Sequence, residues 1–173
     1  YETLSLDRCA HYAFRGLSGD DLTEAMGLGD ATRALPMPDR RELARRLGED
    51  RARFERDFEE TAQAWQRMTS LRPLRDDVHA LIERAGGVVS DEELARALLA
   101  RRGSLVNRPE LRLALAATLA RVAVEAERVR GEQARFRLQR VGPRAFVCDA
   151  ESRDPGALVD PLRRLGERAD ELA

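Results

Sequence analysis

The chain has 173 residues, of which 43% are hydrophobic and 35% are charged, and its formal net charge is −1. This length allows one or two small domains with a hydrophobic core, and the composition is typical of a folded protein with a charged surface. The longest uncharged apolar run, residues 113–120, is too short to span a bilayer, so we expect no membrane partner.

All 30 basic residues are Arg, a side chain that pairs with phosphates and carboxylates through two parallel hydrogen bonds. Cys9 and Cys148 lack CxxC spacing, and no secretion signal is recognisable, so we expect reduced, buried thiols and a cytoplasmic location. Because His11 and His79 lie near no Cys/His cluster, we expect neither a metal nor another cofactor.

The charge is divided unevenly along the chain. Residues 1–70 carry 11 Arg and 14 acidic residues, and residues 71–150 carry 15 Arg and 11 acidic residues, which gives net charges of −3 and +4. Residues 151–173 carry four Arg and six acidic residues, a net charge of −2. A basic middle section is therefore flanked by acidic ones.

The first part of the chain, residues 1–71, predicts a unit built of helices alone. Gly and Pro residues separate its successive amphipathic stretches, and Arg72 with Pro73 marks the boundary to the next unit. We expect helices at residues 4–16, 18–27, 39–47 and 50–68, with a break at 34–38 and a turn at Gly48.

The second part, residues 72–173, predicts the element order of a winged helix. We expect a mainly α fold in which a helix-turn-helix-like helical unit is followed by a winged helix with a small β-hairpin. The expected elements are a helix at 74–87, a strand at 88–89, helices at 91–101 and 109–129, strands at 134–141 and 144–149, and a final helix at 155–172.

Ala44, Gly48 and Phe54 have the spacing of a helix-turn-helix. The small residue lets the second helix cross the first, the Gly forms a left-handed turn, and the Phe closes the core. Between residues 49 and 60, however, there are six acidic residues and three Arg, and a phosphate backbone repels such a surface. We therefore interpret the exposed side of the second helix as a solvated face with i,i+4 Arg–Glu pairs.

The predicted helix at 109–129 is apolar on nearly all sides, which predicts burial in the core or against a partner. Its expected outer, polar stripe consists of Thr118, Arg121, Glu125 and Arg128.

The candidate nucleic-acid contacts are Arg residues in the winged-helix part. No acidic residue lies between Glu132 and Asp149, and a basic hairpin can straddle a phosphate backbone or enter a minor groove. In the alternative interpretation the hairpin Arg residues stay solvated or pair with the acidic tail. The candidates are Arg101, Arg102, Arg108, Arg112, Arg135, Arg137, Arg140 and Arg144.

Motifs of enzymes are missing from the sequence. It contains no Gly-rich phosphate loop, no Ser or Cys beside a His base, and no HExxH. We therefore expect no catalytic activity and no small-molecule substrate for this chain.

Long stretches of the sequence resemble the C-terminal region of PglW-type serine/threonine kinases of phage growth limitation and BREX defence systems. The resemblance covers GLGDATRALPMPDRRELARRLGEDRARF, LRDDVHALIERAGGVVSDEELARALLARRGS, RVAVEAE, ARFRLQRVGPRAFV and LRRLGERADELA. It implies a helix-turn-helix followed by a winged helix that contacts DNA, C-terminal to a kinase domain. The family pattern has a neutral or basic second helix, whereas this chain has GEDRARFERDFEE, so the resemblance does not extend to DNA reading by the first unit. Because this chain has no kinase motif, kinase activity is expected only of a longer parent protein.

Together these features predict a non-catalytic accessory module that binds nucleic acid, with DNA as the favoured partner, in a bacterial anti-phage defence protein. The alternative is an adaptor that binds a protein partner or forms a homodimer on a winged-helix scaffold. Its docking surfaces would be the apolar helix at 109–129 and the acidic face at 49–60.

Overall fold

A computed structural model describes residues 5–14, 20–127 and 135–149. The predicted final helix at 155–172 and the end of the predicted first helix therefore lie outside the described residues. The elements in chain order are α1 (Leu6–Phe14), α2 (Asp20–Met26), α3 (Ala31–Ala34), α4 (Arg40–Leu47), α5 (Arg51–Arg67), a 3₁₀ turn (Thr69–Leu71), α6 (Arg72–Arg84), β1 (Val88–Ser90), α7 (Asp91–Arg102), α8 (Pro109–Ala126), β2 (Phe136–Val141) and β3 (Arg144–Asp149). None of the helices in the described ranges is long and apolar enough to cross a bilayer.

The pair α4–α5 forms the predicted helix-turn-helix. Asp39 caps α4 by accepting a hydrogen bond from the backbone N–H of Glu42 at 2.8 Å, and Asp50 caps α5 in the same way. Gly48 ends α4 in the left-handed conformation, with φ of 67°. Ala44 and Phe54 are both buried where the two helices cross, as their spacing predicts.

Helices α6, α7 and α8 and the three strands form the predicted winged helix. Ser90 caps α7, accepting from the backbone N–H of Glu93. The strands pair antiparallel in the order β1-β3-β2, with Val89 opposite Val147 and Leu138 opposite Val147 from the other side. Strand β1, which lies between α6 and α7 in the chain, thus pairs with β3 of the C-terminal hairpin. The predicted mainly α fold with a small sheet is confirmed.

Helix α8 lies at the centre of the molecule. It packs against α6 and α7 of the winged helix and also against α1, α3 and α5 of the first unit. Every residue from Ala114 to Ala126 is buried. One continuous hydrophobic core therefore runs from Leu6 in α1 to Val147 in β3.

The polar stripe of α8 was expected on the outside, and this expectation is wrong for Thr118, Arg121 and Glu125, which are all buried. Arg128 lies outside the described residues. The reason is that the first unit covers the stripe and supplies partners for its two charged residues: Arg121 donates to the carbonyl of Pro38, and Glu125 accepts from Arg40 at 2.8 Å. The polar stripe of α8 therefore does not face solvent but forms the contact between the two units.

The sheet has an inner and an outer face. On the inner face Phe136, Ala145 and Val147 join the main core against the helices. On the outer face Val88, Val141, Phe146 and Cys148 form a second, smaller hydrophobic cluster. Since side chains alternate along a strand, residues 137, 139 and 141 of β2 share the outer face with residues 144, 146 and 148 of β3.

Candidate nucleic-acid interface

Three predicted Arg residues lie exposed on the β2–β3 hairpin. The guanidinium groups of Arg137, Arg140 and Arg144 form no hydrogen bond or ion pair with any residue in the described ranges. Arg137 and Arg144 lie on the outer face, and Arg140, opposite Ala145, lies on the inner side near the hairpin turn. A hairpin with free guanidinium groups on both faces can contact phosphates from either side.

These Arg residues act electrostatically on two buried groups beside them. Burial raises the pKa of the Asp91 carboxyl, and Arg140 partly offsets this increase. Burial likewise raises the pKa of the Cys148 thiol, and Arg137, its partner in the strand register, partly offsets it. The wing is therefore a local source of positive potential.

The predicted group around α7 and α8 is mostly engaged within the chain. Asp77 pairs with Arg101 at 3.1 Å and with Arg102 at 2.5 Å, and the Arg102 side chain is only 3% exposed. Arg108 pairs with Glu110 at 2.7 Å, and Arg112 donates to the carbonyl of Val106 at 2.8 Å. A guanidinium that already has a carboxylate or carbonyl partner gains less from a phosphate, so this group is a weaker candidate than the wing.

The structure also separates this group from the wing. Arg101 and Arg102 end α7, whereas the wing turn lies beside its beginning: Pro143 and Arg144 line a cavity of about 350 Å³ together with Ser90 and neighbouring residues. A helix of 12 residues is about 18 Å long. The eight predicted Arg residues therefore do not form one site.

Arg135 lies at the base of the hairpin and faces the helices. Its guanidinium is 2.7 Å from Nε2 of His79 and lies over the ring of Phe136, 5.8 Å from the centroid. Its contacts fix the start of β2 against α6, and this position suits a structural role better than a phosphate contact.

Two exposed Arg residues that the sequence analysis did not single out lie on the first unit. Arg41 and Arg51 line a cavity of about 550 Å³ between α4, α5, α8 and β2. Neither guanidinium group has a hydrogen-bond or ion-pair partner among the residues that the structure describes. Both lie in the first turn of a helix, where the dipole disfavours a cation, and this local conflict is the signal that could have found them.

Two of the four acidic residues of α5 face Arg40 beside this cavity. Arg40 pairs with Glu55 at 2.7 Å, with Glu59 at 3.3 Å and with Glu125 at 2.8 Å. Burial alone would lower the pKa of Arg40, but the carboxylates of Glu125 and Glu55 outweigh burial and raise it. The expected i,i+4 Arg–Glu pairs along α5 do not form among the described residues. Glu55, four residues after Arg51, pairs with Arg40 instead.

No cluster of His, Cys, Asp or Glu side chains that could hold a metal occurs in the described part of the chain. Comparisons with models of protein families, with curated proteins and with solved structures found no match. The features of the described residues that bear on function are the exposed Arg side chains of the wing and the burial of helix α8.

Proposed function

We propose that this chain binds nucleic acid without catalysis, through contacts from the wing to the phosphate backbone. The observation that carries the proposal is the set of three exposed, unpaired guanidinium groups on one hairpin, Arg137, Arg140 and Arg144. Guanidinium groups form paired hydrogen bonds with phosphate oxygens, and each neutralised phosphate releases counterions. Binding of this kind is strong at low salt and weakens steeply as salt is added.

The burial of α8 supports contacts that do not depend on base sequence. In a DNA-reading winged helix, the last helix of the helix-turn-helix enters the major groove. Here the side chains from Ala114 to Ala126 lie in the protein core, so only the first turns of α8 are accessible to a groove. Phosphate contacts fix a protein on the duplex and carry little sequence information.

DNA as the favoured partner, and a role as an accessory module of a phage-defence protein, are proposed from the resemblance described above. Cytoplasmic location is part of the same proposal.

The proposal is tested by fluorescence anisotropy with a labelled random duplex at several salt concentrations. Changing Arg137 and Arg140 to Glu should weaken binding at least tenfold on every duplex and reduce the slope of log K against log salt by about 2. The matched control changes Arg67 and Arg72 to Glu as well. Their side chains are also exposed and unpaired among the described residues, but they lie at the α5–α6 junction. If both double variants lose the same affinity, net charge rather than the wing explains the binding.

The second candidate function is that of an adaptor. Of its two expected docking surfaces, helix α8 is excluded. Helix α8 cannot dock on a partner along its length because helices of the same chain cover it. The exposed side of α5 remains available, with Arg53, Arg56, Asp57 and Glu60 free of ion pairs with the described residues. Absence of binding to any duplex at low salt would overturn nucleic-acid binding and favour this candidate.

A further inference from the structure

The cavity between α4, α5, α8 and β2 combines charged and apolar walls. Its volume is about 550 Å³, within the range of about 300–1,000 Å³ that is usual for small-molecule sites. Among the described residues, four Arg and three acidic side chains line it, and Val124, Phe136 and Leu138 add apolar surface. Sites for small ligands commonly join an apolar wall to a few charged groups that fix the orientation of the ligand.

The three carboxylates on the wall of this cavity already have partners within the chain. Arg40 pairs with Glu55 at 2.7 Å and with Glu125 at 2.8 Å. Asp39 caps α4 by accepting a hydrogen bond from the backbone N–H of Glu42 at 2.8 Å. The carboxylates are therefore engaged, and the positive charge that remains on the wall belongs to other residues.

Arg41 and Arg51 carry this remaining charge. Both side chains are exposed, and their guanidinium groups have no hydrogen-bond or ion-pair partner in the described part of the chain. Arg41 follows Arg40 in α4, and Arg51 lies one turn before Glu55 on the same side of α5, so both flank the Arg40–Glu55 ion pair. A ligand in the cavity can therefore contact both guanidinium groups.

Two further observations favour an anion at this place. Arg41 and Arg51 each lie in the first turn of a helix, where the helix dipole is unfavourable for a cation and favourable for an anion. In addition, the buried Nε of Arg40 donates to no acceptor among the described residues, and buried donors without an acceptor are rare in folded proteins. An anion in the cavity offsets the first and brings an acceptor to the side chains that line it.

The arrangement of donors suits a phosphate monoester better than a carboxylate. One guanidinium group occupies both oxygens of a carboxylate, whereas a phosphate monoester has three terminal oxygens, which two guanidinium groups can share. A monoester also carries close to two negative charges at neutral pH, and this charge matches the two unpaired guanidinium groups of Arg41 and Arg51.

We propose that the cavity between α4, α5, α8 and β2 binds a phosphate monoester through the guanidinium groups of Arg41 and Arg51, with the apolar wall at Leu138 facing the organic group. Two kinds of molecule carry a phosphate monoester: a small phosphorylated compound, and the phosphorylated end of a nucleic-acid strand. The site is separate from the wing, and it does not depend on the contacts proposed for Arg137, Arg140 and Arg144.

The test follows chemical modification of single Arg residues in the full chain. Phenylglyoxal reacts with accessible guanidinium groups, and mass spectrometry gives the rate at each residue in inorganic phosphate and in chloride of the same ionic strength. Arg67 and Arg72 are the internal controls, because they are also exposed and unpaired among the described residues but do not line this cavity. With phosphate at about ten times its dissociation constant, the rates at Arg41 and Arg51 should fall about tenfold, because only the unoccupied protein reacts, and the control rates should not change.

The variant Arg51→Ala then shows whether the two guanidinium groups share one phosphate. Protection of Arg41 should be lost in this variant and kept in the matched variant Arg72→Ala. The proposal is overturned if millimolar phosphate protects neither residue of the cavity, if it protects Arg67 and Arg72 equally, or if Arg41 stays protected in Arg51→Ala.

A short thymidine oligonucleotide, with and without a 5′-phosphate, distinguishes the two sources of the ligand. Protection of Arg41 and Arg51 by the phosphorylated strand alone, at a lower concentration than inorganic phosphate requires, identifies the end of a nucleic-acid strand. If inorganic phosphate protects them and neither strand does, the ligand is a small phosphorylated compound. Equal protection by both strands assigns the cavity to phosphodiesters of the backbone and overturns the monoester site.

Discussion

At the scale of single residues, Glu125 joins the two units of the chain. Its carboxylate accepts from Arg121, four residues earlier on α8, at 3.0 Å and from Arg40 on α4 at 2.8 Å. Glu125 and Arg121 are each only 3% exposed. Bringing such charges out of water is costly, and the network stabilises the fold only while every charge keeps its partner.

Replacing Glu125 with Gln should therefore destabilise the protein by about 3 kcal/mol, because the buried guanidinium of Arg121 and the half-buried guanidinium of Arg40 lose their shared carboxylate. The measurement is the free energy of unfolding in urea. Arg96→Ala is the control, since it removes the exposed pair between Arg96 and Glu92, whose side chains are 64% and 56% exposed. Exposed pairs contribute little, so an equal loss in the two variants would contradict the buried network as the cause.

Asp91 is a second buried carboxylate with a measurable consequence. It accepts hydrogen bonds from the backbone N–H groups of Met37, at 2.7 Å, and Glu92, at 2.8 Å, but burial still raises its pKa. The folded chain thus holds this proton to higher pH than the unfolded chain does. The stability that comes from this group is complete below the ordinary Asp pKa of about 4 and is lost as the pH rises through the raised pKa.

From neutral pH down to about pH 4, the free energy of unfolding of the unaltered chain should therefore rise relative to that of Asp91→Asn, which cannot titrate there. Other groups titrate equally in both chains and cancel in the difference. Urea unfolding at several pH values measures it. A constant difference would show that the hydrogen bonds from Met37 and Glu92 balance burial, and a difference that falls on acidification would show that they outweigh it.

At the scale of elements, two glycines with similar backbone conformations have different surroundings. Gly48 has φ of 67° and Gly27 has φ of 93°. A Cβ on Gly48 would meet no atom within 4 Å, whereas a Cβ on Gly27 would lie 2.3 Å from the backbone N of Ala34. The turn of the helix-turn-helix therefore needs Gly for its conformation alone, and the α2–α3 turn needs it for space as well.

Gly48→Ala should cost about 1 kcal/mol, the penalty of a left-handed residue with a side chain. Gly27→Ala should cost at least about 3 kcal/mol, because the backbone of α3 must move to make room. Thermal or urea unfolding of the two variants provides the comparison. Similar losses at the two positions would mean that α3 yields to the added methyl group without strain.

The elements that the sequence predicts well depend on local signals. Capping residues and turn glycines predicted α4, α5 and α7. The alternation of apolar and polar residues, with a turn at Gly142–Pro143, predicted the hairpin. The failures concern partners that are distant along the chain. Arg40 lies 85 residues from Glu125, and nothing near Arg40 in the sequence announces that pair. For the same reason, the sequence alone predicts unpaired side chains for Arg101 and Arg102, whereas in the structure both pair with Asp77.

At the scale of the whole molecule, α8 belongs to both units. It packs against α1, α3 and α5 as well as against α6 and α7, and one core includes residues of all these helices. A shared core couples the free energies of its two sides, because neither unit can unfold without exposing apolar surface of the other. We therefore expect the two parts of the chain on either side of residue 72 to unfold together.

A substitution in α8 should consequently be felt in the first unit. Trp65, the single Trp of the chain, is fully buried there and donates to the carbonyl of Ala13 at 2.7 Å. Leu119→Ala removes a fully buried side chain of α8 and should cost about 2–5 kcal/mol. The midpoint of urea unfolding should then fall equally by Trp65 fluorescence and by far-ultraviolet circular dichroism. If the Trp65 midpoint stays in place while circular dichroism shows an earlier step, the first unit is stable without α8 and the core is not shared energetically.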